Sequence, residues 1–239
     1  VLRREADNAL ALIRPPGHHA TPSAGMGFCL LNNVAIAARY AQREHDVERV
    51  LIVDYDVHHG NGTQDVFYDD PTVLYISTHQ SPLYPGTGAI SETGAGKGVG
   101  YNINIPLPPG VGDAGYGRVW EEVVIPVIRR FMPQLILVSA GFDAHWADPL
   151  ANMGLSLTGY DQLARSLIAL AGELCAGRIV FVAEGGYNLD VLGNGWANVT
   201  RALLGDKFID DPLGVTHSRE PSLEALVDKL RQIHKLISY

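Results

Sequence analysis

A three-layer α/β fold, with a mainly parallel sheet covered by helices on both faces, is the architecture this sequence predicts, and three observations predict it. Uninterrupted apolar runs such as Val50-Leu51-Ile52-Val53 recur along the chain, and a strand needs such a run when both of its faces are buried. Between the runs lie stretches with apolar residues at helical spacing, the alternation expected of parallel strands joined by crossover helices. The polar clusters that fit neither pattern fall just after the runs, on the rim where α/β sheets bind ligands.

Residues 8–13 (NALALI) read as a short buried strand stopped by Arg14-Pro15-Pro16-Gly17, so His18 and His19 fall in a loop past its carboxyl end. After Gly25 and Gly27, residues 29–44 carry the helical pattern. Residues 50–53 form the next strand and deliver Asp54, Asp56, His58 and His59, with Gly60 and Gly62 permitting a tight turn. Residues 72–78 give another buried strand with His79 at its tip, and residues 82–100, rich in Gly and Pro, give a long surface loop. Residues 101–107 alternate and suit a strand nearer the sheet edge; an amphipathic helix over 114–131, bent at Pro126, follows. Residues 134–139 form a strand running into Ala140-Gly141-Phe142-Asp143. The helix over 158–175 has Thr158 as its expected cap and Gly177 beyond its end. Residues 178–183 make the last strand and deliver Glu184-Gly185-Gly186-Tyr187; helices over about 190–204 and 222–237 finish the chain.

With 239 residues, 46% hydrophobic and 18% charged, the chain suits one globular domain with a sizeable core, or at most two small ones. No run approaches the roughly 18 consecutive apolar residues of a membrane span, and no signal peptide is visible. A formal net charge of −8 without a block of Lys and Arg argues against nucleic acid as a partner and suits a cationic substrate. Cys29 and Cys175, each inside an apolar helical pattern, read as buried free thiols of a reducing cytoplasm. GAGKGVG (94–100) looks like a phosphate cradle, but Lys97 is followed by Gly and no strand leads into it. No G-x-S-x-G elbow is present, which argues against a serine hydrolase. His79 and His145 read as structural, and His45, His217 and His234 as surface residues.

Side chains two apart on an extended segment point the same way, so Asp56 and His58 can converge on one point. A catalytic divalent ion takes three protein ligands and keeps one position open. Asp143, at the end of another strand, completes the best such set, which suits zinc, with iron(II) or cobalt as alternatives. The His18-His19 pair is available as general base, and Tyr187, held by the preceding flexible glycines, as donor to a developing oxyanion. Turn formation explains any one of these residues equally well; their convergence from five loops on one rim favours a site.

RPPGHHA (14–20), GFCLLNN (27–33), DYDVHHGNG (54–62), PGTG (85–88), GFDAHWADP (141–149) and EGGYNL (184–189) together resemble the histone deacetylase superfamily, which also includes acetylpolyamine amidohydrolases and acetoin-utilisation proteins. The likeness covers roughly residues 8–205, with the blocks in the family's order. It implies an arginase/deacetylase-like fold and a metal-dependent deacetylase. The implied reaction is hydrolysis of the acetyl amide of acetyl-lysine, in a protein or peptide, or of a related acylated amine, releasing acetate. A non-catalytic acyl-lysine binding or partner-docking module is the alternative, as is an acetylpolyamine amidohydrolase.

The resemblance implies zinc on Asp56, His58 and Asp143, His19 as general base and acid, His18 as its electrostatic partner backed by Asp54, and Tyr187 polarising the amide carbonyl. Asn61 stands where part of the family has Asp behind the catalytic histidine. A neutral amide stabilises an imidazolium less, so the pKa of His19 is expected to lie lower than beside an Asp. Phe28 and Tyr84 would wall a narrow tunnel, Gly27 leaving room between them for a lysine-like stem, with Leu150 and Gly185 also at the substrate. Leu150 stands where polyamine-selective members place an acidic gatekeeper, which favours acetyl-lysine. Potassium is implied at a first site of Asp54, Asp56, His58, Ser77 and Thr78 and a second of Phe67, Asp70, Val73 and Tyr101. Residues 1–239 are then expected to be a single catalytic domain lacking its amino-terminal third. The strand over 8–13 would lack a neighbour and invite pairing with another chain, so a homo-oligomer is among the expected partners.

Overall fold

Every residue of Val50–Asp54 is buried, and its alternate side chains serve opposite faces of one sheet. Val50 and Ile52 pack with Val34, Ala38 and Ala41 in one cluster, while Leu51 and Val53 pack with Leu163, Leu167, Trp120 and Val123 in the other. Each such fully buried aliphatic side chain contributes about 1.5–3 kcal/mol, and this two-sided burial is what the uninterrupted apolar run encodes.

The computed structural model describes residues 1–236. Its elements are β1 (Ala9–Ala11), α1 (Asn33–His45), β2 (Val50–Asp54), α2 (Asn61–Phe67), β3 (Val73–Gln80), β4 (Asn102–Leu107), α3 (Asp113–Val119), a π-helical stretch Trp120–Val124, α4 (Ile125–Phe131), β5 (Leu135–Ala140), α5 (Leu157–Cys175), β6 (Ile179–Ala183), α6 (Leu189–Leu203) and α7 (Glu224–Ile233). The strands form one parallel sheet in the order β1-β6-β5-β2-β3-β4. Helix α1 covers one face, and α3, α5 and α7 cover the other. The chain builds outward from β2 through β3 and β4, then returns to the other side of β2 with β5 and β6. That reversal lies between β2 and β5, where the crevice past the strand ends accommodates a ligand.

Several elements differ from the sequence expectation for local reasons. The first helix begins at Asn33, not 29, because the Asn32 side chain accepts the Ala35 N–H at 3.0 Å and caps it; Cys29 is therefore in a turn, although both thiols are buried and free as expected. Helix α2 was not expected, and its glycine-flanked sequence lacks an apolar repeat. The cap of α5 is Ser156, whose Oγ accepts the Gly159 N–H; Thr158 bonds Asp211 instead. The irregularity expected at Pro126 is the π-helical turn immediately before it. Strand β1 is half-buried rather than buried because it is the sheet edge, with Leu12 59% exposed just beyond it. Helix α7 is shorter than expected, and residue 237 lies outside the described residues. His234, expected at the surface, is buried at the carboxyl end of α7, its carbonyl accepting from Arg130 at 2.7 Å; His45 is half-buried against Tyr40, and His217 is exposed. No described helix is long and apolar enough to cross a membrane.

Candidate active site

Strands β2 and β5 lie side by side with Asp54 opposite Ser139, so the segments leaving them start from adjacent points. Asp56 and His58 follow β2, Asp143 follows β5, and ligand atoms of all three lie within 4.8 Å of one another. His58 Nδ1 is 3.1 Å from Asp56 Oδ1 and 3.2 Å from Asp143 Oδ2. Backbone donors fix the carboxylates: Asp56 accepts from the His58 N–H at 2.9 Å and the Gly185 N–H at 2.8 Å, and Asp143 from the Val57 N–H at 2.9 Å. A Cβ on Gly141 would sit 2.2 Å from Asp56 Oδ2, and one on Gly185 would sit 2.2 Å from Asp143 Oδ2. Gly185, expected at the substrate, lies against both carboxylates.

The electrostatics of this set favour a cation. Burial disfavours a charged His58, yet the Asp143 and Asp56 hydrogen bonds raise its pKa to about 10, so the acids draw a proton into their midst. Burial and the neighbouring Asp56 push Asp143 upward, the response of a carboxylate held beside another. Two buried carboxylates and one imidazole nitrogen converging in a glycine-lined cradle fit a zinc or iron(II) ion.

Beside this set the two adjacent histidines have opposite environments. His18 Nδ1 lies 3.0 Å from Asp54 Oδ2, an oxygen that also accepts the Tyr75 hydroxyl at 3.0 Å. Although burial opposes it, the charges of Asp54, Asp56 and Glu184 raise the pKa of His18 well above the ordinary value, so this ring holds the proton. The His19 ring lies tilted against it with centroids 4.1 Å apart, and its Nδ1 meets Asn61 Oδ1 at 2.8 Å. Burial and the charge on His18 lower the pKa of His19 to about 3, leaving it neutral and basic.

Around these groups lie Tyr84, edge-on to the His19 ring at 5.1 Å, and Phe28, whose ring is 6.4 Å from that of Tyr187. Phe28 is 71% exposed, and Tyr84 and Leu150 are also exposed, as befits residues at a mouth. Tyr187 is half-buried; burial and the Asp56 and Asp143 carboxylates raise its pKa, so its hydroxyl stays a donor. Gly27, expected to leave room for the substrate stem, has φ +54° and packs on the His19 ring, where a Cβ would lie 2.2 Å from His19 Cδ2.

Of the first expected potassium set, Ser77 pairs with Asp54 in register, and Thr78 Oγ1 reaches the Asp54 carbonyl at 3.5 Å. In the second set, Asp70 N–H bonds the Phe67 carbonyl at 3.1 Å, Tyr101 accepts from Tyr75, and the Asp70 carboxylate is engaged by Thr72 and Arg39. Two positioning residues escaped the sequence reading. Glu184 accepts the Gly17 and His18 amides and the Ser139 hydroxyl, and Asp148 accepts the Tyr187 N–H at 2.8 Å and the Leu150 N–H at 2.9 Å. An acid ending the apolar run before Gly185-Gly186 was the available signal for Glu184; Asp148 gave none.

The family described as histone deacetylase domain matches residues 1–203. "Histone deacetylase 14, chloroplastic" from Arabidopsis thaliana is 50% identical over 230 residues, 95% of this chain and 54% of that protein. A "Probable deacetylase" from Archaeoglobus fulgidus is 53% identical over 190 residues, 80% of this chain and 53% of that protein. The solved structure "Crystal Structure of HDA15 HD domain" matches with a TM-score of 0.85 and 40% identity, over 98% of this chain and 64% of that one. The chain spans about half the length of these curated relatives. The Arabidopsis protein's name sets a plastid beside the cytoplasm expected from the sequence.

Proposed function

The chain belongs to the histone deacetylase family, and from that premise we propose that it hydrolyses the acetyl amide of an acetylated lysine side chain, or of a related acylated amine, and releases acetate. The observation that carries this reading is the neutral His19 ring set 6.0 Å from the ring of His58, one of three buried ligand groups. Asp56, His58 and Asp143 would hold zinc or iron(II), and the bound ion would supply polarisation of the acyl carbonyl and a more acidic water.

The chain's own residues account for the proton movements. His19 Nε2 takes a proton from the attacking water as its oxygen bonds the acyl carbon, and returns it to the amine nitrogen as the C–N bond breaks. Asn61 holds His19 by Nδ1, and the charged His18 keeps the neighbouring ring from staying protonated. Tyr187 donates its hydroxyl proton in a hydrogen bond to the carbonyl oxygen as negative charge develops there. Phe28 and Tyr84 present apolar surface to the alkyl stem, and Leu150 places no carboxylate at the mouth to bind a second amine. That arrangement supports acetyl-lysine over an acetylated polyamine.

The test is metal content together with hydrolysis of an acetyl-lysine peptide by wild type, His19→Ala and Tyr187→Phe. One divalent ion per chain is expected, with losses of about 10²–10⁴-fold for the base variant and about 10²–10³-fold for the tyrosine variant. Wild-type turnover that neither substitution lowers would remove this mechanism.

A further inference from the structure

Asn61 is the member of the acid-base machinery with two chemically different ends. Its Oδ1 lies 2.8 Å from His19 Nδ1, and its Nδ2 donates to Met26 Sδ at 3.3 Å. An amide oxygen only accepts, so His19 must carry its proton on Nδ1 and keep a lone pair on Nε2. With the amide turned over, Nδ2 would face His19 Nδ1. The ring would then accept there and carry its proton on Nε2, the nitrogen that a base needs free. The two orientations have nearly the same shape, so packing alone does not choose between them. A thioether does choose, because sulfur accepts and cannot donate.

We propose that Met26 is a positioning residue: its sulfur fixes the orientation of the Asn61 amide and, through it, the tautomer of His19. The inference rests on the reading of His19 as general base. The chain around Met26 is built to hold it there. The Cys29 N–H donates to the Met26 carbonyl at 2.8 Å, closing a turn whose Gly27 lies flat against the His19 ring. Cys29 Sγ in turn lies 3.5 Å from the backbone nitrogen of His19. One short turn therefore grips the base by its backbone, its ring face and its amide partner. A carboxylate at position 61 would have two equivalent acceptor oxygens and would need no such selector.

That difference supplies the test. Leucine matches the volume of methionine without an acceptor, so Met26→Leu, Asn61→Asp and the double variant are compared by proton–nitrogen NMR of the imidazoles and by turnover of an acetyl-lysine peptide. In Met26→Leu, the Nε2-protonated form of His19 is expected to rise from a minor species to a comparable population. The kcat falls about twofold, because about half of the chains then lack a free Nε2 once the bias of one ordinary hydrogen bond is lost, with KM unchanged. In the Asn61→Asp background the same substitution changes neither readout. An unaltered tautomer in Met26→Leu, or equal losses of kcat in both backgrounds, would overturn the assignment. The NMR signal is present without turnover, so an inactive wild type would remove the functional reading while the tautomer still decides the role of Met26.

Discussion

Glu184 accepts the backbone N–H of His18 at 3.1 Å, and the same oxygen accepts the Gly17 N–H at 2.7 Å. The carboxylate thereby ties the loop that follows β1 to the end of β6, while the next residue, Gly185, donates its N–H to Asp56. One turn of chain thus sets the His18-His19 pair and the Asp56 carboxylate in a common frame. Glu184→Ala would leave two buried N–H groups without an acceptor, each costing about 1–3 kcal/mol, so a loss of roughly 2–6 kcal/mol is expected in urea denaturation. Glu184→Gln, which keeps an oxygen for the amides and offers the Ser139 hydroxyl a donor in place of an acceptor, should retain most of that stability. Equal losses in the two variants would show that the charge, and not the acceptor geometry, is what matters.

Asp143 is a second point where removal is informative, because it is the proposed ligand that follows β5. Without it, the pair Asp56 and His58 is too few for a tight divalent site. Asp143→Ala is expected to purify with little metal and to lack hydrolase activity, and added zinc should no longer raise its thermal midpoint. In wild type, an ion at 1,000 times its Kd would stabilise by about 4 kcal/mol, a gain that chelation reverses. Retention of one tightly held ion by the variant would disprove this ligand set.

What could be read beforehand divides along physical lines. The ends of β2 and β5 were legible because apolar runs stop abruptly at Asp54 and before Asp143, and burying unpaired acids there would be costly. The edge position of β1 changed its burial but not its existence. Helix α2 was not legible, since its inward residues Asn61, Thr63 and Gln64 are held by polar contacts, not by an apolar stripe. Glu184, Asp148 and Met26 act through atoms far away in the chain or through one end of an amide, relationships that exist only once the sheet has assembled.

Gln64 is the hub beneath the loop that carries Tyr84. Its Oε1 lies 2.9 Å from Asn102 Nδ2, 2.7 Å from Asn104 Nδ2 and 3.1 Å from His59 Nε2, and its Nε2 donates to Glu92 at 2.7 Å. His59 in turn meets Thr87, and His79 donates to the Gly88 carbonyl, which pins the loop just past Tyr84. Gln64→Leu strands several buried donors at once, so destabilisation of about 3 kcal/mol or more is expected. Faster amide exchange over residues 82–95 and a raised KM should accompany it, because the proposed function sets Tyr84, whose ring meets that of His19, against the substrate stem. Unchanged exchange in that loop would show that Gln64 does not govern it.

Asn61→Asp tests the division of charge between the two histidines. The new carboxylate would stand where Oδ1 lies 2.8 Å from His19 Nδ1, and an opposite charge so close raises an imidazole's pKa by about 1–3 units. The wild-type value is near 3, set by burial and by His18, so titration of His19 leaves no mark on the rate between neutral pH and mild acid. His19 works as a base only when neutral, and activity is lost as pH falls through its pKa. Raising that pKa therefore moves the acid limb of the kcat/KM profile to higher pH while leaving the alkaline side in place. A profile whose acid limb stayed put, or moved toward lower pH, would mean that the ring behind position 61 is not the one that takes the proton.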